Sequence, residues 1–174
     1  MKMYVAFPYA DRKEGYWLEV VVGWVTKSNL GHVDLWFQRD DGVIMRATAV
    51  LKGGVVFTNI GPSGAPIIYD ESLYEIHPLP DDFPYQKVLD WLLGQGEFVD
   101  KGPEIGCPYD INGVLRFVFP CTKPSARAWF CSELVAKMLS LYEKFTCLGV
   151  RPYLFSPALL RDKLIELLGE SRAA

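Results

Sequence analysis

Cys131 is the side chain in this sequence best placed to do chemistry, because it stands at the head of a predicted helix. From Cys131 onward, Leu134, Val135, Met138, Leu139 and Tyr142 recur at three- and four-residue spacing, the period of an amphipathic helix running to about Phe145. A thiol in a first helical turn lies among backbone N–H groups that have no acceptor within the helix, at the positive end of the helix dipole. Both favour the thiolate, the attacking form of sulfur. The competing reading takes Cys131 as a small hydrophobe on a core stripe. Partners decide between the two. A thiolate nucleophile needs a base within hydrogen-bond reach, and the base needs a third group that holds its tautomer. The chain has two histidines. His77, in Ile76-His77-Pro78-Leu79-Pro80, falls at a proline-punctuated strand end and reads as a half-exposed edge residue. His32 opens a strand beside Gly31 and is the better base.

The elements that would position these residues follow from pattern. Met3 to Phe7 reads as a short first strand. Trp17, Val20, Val21, Trp24 and Val25 fall at helical spacing, and Ser28-Asn29-Leu30-Gly31 ends that helix. In His32 to Gln38, strict alternation puts Val33, Leu35 and Phe37 on one face of a strand and His32, Asp34 and Trp36 on the other. Arg39-Asp40-Asp41-Gly42 is a hairpin signal, and the return strand from Val43 to Leu51 brings residues from about Thr48 onward beside His32. Thr48 is therefore the nearest uncharged polar group able to orient the imidazole. Asp34 shares the face of His32, but two residues along one strand is a span too long for a good direct bond. Glu133 reads as an acid complementing its own helix N-terminus.

A turn at Lys52-Gly53-Gly54 leads into a strand from Val55 to Ile60, a loop from Gly61 to Pro66, and a strand-like stretch from Ile67 to Leu79 broken at Asp70 to Ser72. Pro84 suits the start of a helix from Tyr85 to Leu93, and Ile111 to Phe119 reads as helical. The final segment has Ser156 as N-cap, Pro157 at the first helical position and a stripe of Leu160, Leu164, Leu167 and Leu168. A strand, a helix, several antiparallel strands and then helices make an α+β chain.

With 174 residues, 50% of them hydrophobic and 14% aromatic, the chain can bury one sizeable core and reads as a single domain over residues 1–174. A net charge of −3 without Lys/Arg runs argues against a nucleic-acid partner. The N-terminus lacks the pattern of a signal peptide, and the apolar run Val20 to Val25 is too short to cross a bilayer, so a cytoplasmic protein with no transmembrane segment is expected. Two histidines and four cysteines without a C-x-x-C pair leave no metal or cofactor expected. Reduced thiols are the default, with a Cys107 to Cys121 bridge left open.

The motif Gly106-x-Pro108-Tyr109, then Gly113, then Cys131-Ser132-x-Leu134-Val135, resembles the catalytic segment of the NlpC-type papain-fold cysteine hydrolases. In that group the histidine ordinarily follows the cysteine. Here Gly31-His32-Val33-Asp34-Leu35 precedes it, an order similar to the circularly permuted branch found in bacteria, phages and large DNA viruses, related to the lecithin:retinol acyltransferase and phospholipase-like enzymes. The resemblance extends through Trp24-Val25-Thr26, Asp41-Gly42, Gly53-Gly54-Val55, Trp129-Phe130-Cys131-Ser132-Glu133 and Ser156-Pro157.

The resemblance implies a papain-like domain, a small antiparallel sheet or half-barrel packed on the cysteine helix. It implies Cys131 as nucleophile, His32 as base and then acid, and Tyr109 as a hydroxyl beside the oxyanion, against a plain reading of Tyr109 as a core aromatic. For the third residue it leaves Arg46 and Thr48, and Thr48 is preferred because an arginine would oppose the imidazolium. The implied activity is cleavage of an amide in a peptide or peptidoglycan stem peptide. The alternatives are a lipid acyl hydrolase or acyltransferase, for which Trp17, Trp24 and Trp36 would form an acyl groove if they are not core, and a catalytically retired binding or virion component. Oligomeric state does not follow from these residues.

Overall fold

The computed structural model describes residues 2–9, 24, 27–50, 54–59, 73–94, 108–117 and 128–173. Five strands, β1 (Lys2–Pro8), β2 (Asp34–Gln38), β3 (Ile44–Val50), β4 (Gly54–Asn59) and β5 (Tyr74–Pro78), form one antiparallel sheet in the order β4-β3-β2-β1-β5. The helices are α1 (Tyr85–Leu93), α2 (Ile111–Leu115), α3 (Cys131–Leu139) and α4 (Pro157–Ala173), with 3₁₀ turns at Glu143–Gly149 and Pro152–Leu154 between the last two. The chain is α+β, as the element pattern predicts. The expected helix around Trp17 to Val25, the loop from Gly61 to Pro66, and Cys107 and Cys121 fall outside the described residues. Trp24 alone of that helix is described, and it is 80% exposed.

The β2–β3 hairpin forms where the sequence signals it. Arg39 N–H donates to Val43 O at 2.8 Å, Gly42 N–H donates to Arg39 O at 3.0 Å, and Gly42 takes φ +82°, a conformation that costs glycine little. The resulting register pairs Leu35 with Ala47 and Trp36 with Arg46. Alternation then sends Val5, Phe7, Leu35, Phe37, Ala47 and Ala49 to the face that carries the helices, while Ala6, Trp36 and Ile44 form a smaller cluster on the other face. Ala47 and Ala49 leave room for α3, which packs over β3 and β2.

Eight of the nine residues of α3 are buried, the outcome expected of a helix with neighbours on every side. Burying Leu134, Val135, Met138 and Leu139 contributes roughly 1.5–3 kcal/mol each relative to exposure. On the same face, α1 adds Val88 and Leu92, and α4 adds Leu160, Leu164, Leu167 and Leu168. Ser156 caps α4, accepting the Leu159 N–H at 3.2 Å, with Pro157 as the first helical residue.

The structure corrects the sequence reading at two boundaries. The cysteine helix stops at Leu139 instead of running to Phe145: the Ser140 hydroxyl turns back onto Lys137 O at 2.7 Å, and Tyr142 adopts extended backbone to reach the Asp82 carboxylate at 2.8 Å. The histidine strand begins at Asp34, so His32 and Val33 lie before the ladder and not within it.

One close approach sets the position of the cysteine helix. A Cβ on Gly113 would lie 2.7 Å from the Phe130 ring and 2.6 Å from the Asp110 carboxylate, and Phe130 immediately precedes Cys131. Gly113→Ala is expected to lower stability by about 1–3 kcal/mol through overpacking, read as a lower urea midpoint with unchanged slope.

Candidate active site

Cys131 and His32 meet. The imidazole stands at the mouth of β2, the sulfur opens the first turn of α3, and the sulfur lies close enough to the ring to act on its charge. Cys131 is 4% exposed and His32 8%, so the pair is shielded from bulk water. Cys131 follows an N-cap, Phe130, whose extended backbone brings the chain into the helix without a side-chain cap. The first-turn amides, that of Cys131 included, therefore have no acceptor in the helix.

The ring is held from its far side. His32 Nε2 lies 2.8 Å from Thr48 Oγ1 and 3.0 Å from Asp34 Oδ1, and the Thr48 hydroxyl donates to Val33 O at 3.4 Å. With its hydrogen on Val33 O, Thr48 accepts from Nε2–H, while Asp34 Oδ1, which receives no well-aligned hydrogen bond, acts on the ring through its charge. Nε2 is committed to these two, which leaves Nδ1 as the nitrogen able to exchange a proton with sulfur.

Thr48 thus lies where the hairpin register expects it. Asp34 does not: it touches the ring that the strand spacing had placed out of its reach. Because His32 precedes the ladder, its backbone is released from sheet geometry and the two side chains converge. Arg46, expected to oppose the imidazolium, instead lies 3.8 Å from Asp34 Oδ2 and supports the carboxylate.

Electrostatics favour a charged imidazole beside a charged Asp34. Burial works against a charged His32, but the Cys131 sulfur and then Asp34 more than offset it and hold the imidazolium well above the usual histidine value of 6.5. Burial likewise opposes charge on Asp34, and His32 first, then Arg46, overcome it and keep the carboxyl below its usual range.

Tyr109 joins this region through its backbone. It pairs in parallel with Trp129, two residues before Cys131, and its half-buried ring packs where the main core meets the cluster of Val114 and Phe130. Trp129 in turn meets Trp91 of α1 edge to face at 5.7 Å. His77 is the partly exposed residue of an edge strand that its prolines imply, 2.8 Å from Glu75, which also meets Arg161 at 3.5 Å. A separate cleft of about 140 Å³, lined by Tyr4, Pro78, Leu79, Phe83 and Tyr85 among others, holds neither Cys131 nor His32.

Among the described residues no three His, Cys, Asp or Glu side chains come together as metal ligands, and no helix is long and apolar enough to cross a membrane. The stability that this site lends depends on pH from two sides. The contribution of Asp34 is present above its unfolded value of 3.8 and is lost as pH falls through its lowered folded value. That of His32 is complete below 6.5 and is lost as pH rises through its raised folded value. Asp34→Asn should move the titration of the His32 ring proton, followed by NMR, to lower pH.

No family model, curated protein or solved structure matches the chain.

Proposed function

We propose that the protein is a thiol hydrolase of papain-like type that cleaves an amide through an acyl-enzyme. One observation carries the reading: a thiol at a helix head lies beside an imidazole whose Nε2 is held by a buried carboxylate and a hydroxyl. These are the parts that nucleophilic catalysis on an acyl carbon requires.

In the proposed cycle the Cys131 thiolate adds to the carbonyl carbon while the first-turn amides of α3 receive the developing oxyanion. Tyr109 is the candidate for a further donor. Collapse of the adduct breaks the C–N bond, and the His32 imidazolium passes its Nδ1 proton to the departing amine. Water, deprotonated by the now neutral ring, attacks the thioester, releases the acid, and returns the proton to His32 and the sulfur to its starting form. Amides suit this site because an amine departs only when protonated, and Asp34 and Cys131 together keep a proton on His32 at neutral pH. Asp34 is proposed as the orienting residue, with Thr48 fixing the ring beside it.

The retired-domain alternative drew its force from the lack of a charged third group, and Asp34 at 3.0 Å from Nε2 removes that ground. Of the three tryptophans considered for an acyl groove, Trp36 is buried on the sheet's second face, which favours the core reading for that residue. Trp24, at 80% exposed, does not share that core reading, and a peptide or peptidoglycan stem peptide is the substrate class proposed because a protonated His32 suits an amine leaving group.

The test is alkylation by iodoacetamide with each cysteine followed separately by mass spectrometry. Cys131 should react faster than the exposed Cys147 at neutral pH. The exposed Cys147 serves as the internal reference for an unactivated thiol. His32→Ala should return Cys131 to ordinary reactivity, and Cys131→Ala should abolish release of amine from purified murein peptides. A Cys131 that remains silent while Cys147 reacts would sink the proposal.

A further inference from the structure

Glu133 is a buried acid that this cycle leaves unused. It is the third residue of α3 and 6% exposed. Its carboxyl accepts the Phe130 N–H, reaching back to the N-cap as the acid of a capping box does, while Oε2 has no hydrogen-bond partner. Asp110, 1% exposed, acts on it with a negative charge. Burial first and Asp110 second, against the pull of the Phe130 amide, push the Glu133 carboxyl up to about 8.

The two acids face each other across a seam without slack. On one side runs segment 108–113, on the other the entry into α3. Asp110 N–H donates to Trp129 O at 3.0 Å, Trp129 N–H donates to Pro108 O at 3.1 Å, and the Phe130 ring fills the space beside Gly113. The elements packed on α3 are β2, β3, α1, α4 and the two 3₁₀ turns. From these, among the described residues, no cation compensates Glu133, and Lys137 one turn along α3 does not pair with it.

Resting on the reading of Cys131 as nucleophile, we propose that Glu133 is its positioning residue: a neutral carboxyl lets the first turn of α3 close against segment 108–110, and charging it opens that contact. An ionised Glu133 would put two carboxylates in one dry seam. Relief comes from parting the segments or admitting water, and either displaces Cys131, two residues away, from His32. Because its folded value lies above its unfolded value of 4.5, what Glu133 adds to stability is complete below 4.5 and is lost progressively as pH rises to about 8.

The experiment follows hydrogen exchange of the Asp110 and Trp129 amides, and the ¹³C shift of the Glu133 carboxyl, from about pH 6 to pH 9. It compares the intact protein with Cys131→Ala and Glu133→Gln, since glutamine keeps the acceptor for Phe130 and cannot charge. Protection of both amides, relative to amides in β2, should fall about tenfold or more above pH 8 in the intact protein and in Cys131→Ala, and should hold in Glu133→Gln. A Glu133 carboxyl that titrates in the ordinary carboxylate range, or an equal loss of protection in Glu133→Gln, overturns the inference. A seam that responds while the intact protein releases no amine from murein peptides refutes the hydrolase reading alone. Turnover with an unresponsive seam refutes the positioning role alone.

Discussion

The imidazole of His32 must be dry and charged at the same time, and the arrangement around it answers that requirement. Removing a cation from water is costly, so an isolated buried histidine would shed its proton. Here a sulfur on one side and a carboxylate on the other reverse that tendency, and Arg46 keeps the carboxylate itself ionised. The geometry that brings them together, a strand mouth against a helix head, is what the sheet and the helices have to maintain.

The sheet does so through rigidity and small side chains. β2 is paired on both sides, so the ring is anchored beside a strand with no free edge. Ala47 and Ala49 let α3 settle close over β3, and burial around nearly the whole of α3 leaves the helix little freedom to shift. Polar residues on this buried helix need partners: Ser132 donates to Phe155 O at 2.6 Å, which fastens the cysteine turn to the chain leading into α4. Glu133 is incompletely matched, and that mismatch sits two residues from the sulfur.

Much of this was legible in the sequence because it depends on local rules. The Asp41-Gly42 turn sets the hairpin register and hence the meeting of Thr48 with His32, and the helix starts at Pro84 and Ser156 follow from residue chemistry at caps. What escaped the sequence depends on contacts between distant segments. Strand spacing separates Asp34 from His32 only if both lie in the ladder, and His32 does not. α3 ends early because Tyr142 reaches Asp82, a residue sixty positions away. The neighbour of Glu133 is Asp110, brought there by the pairing of Tyr109 with Trp129, which no periodicity announces.

The order of elements along the chain bears on how the protein is made. All five strands lie within the first 78 residues, and α3 follows only at Cys131. During synthesis the sheet, with its histidine and aspartate in register, can pair before the sulfur has left the ribosome. The thiol then emerges as part of the helix that closes the core over an existing surface. A polypeptide cut short ahead of that helix carries His32 and Asp34 in register but lacks Cys131.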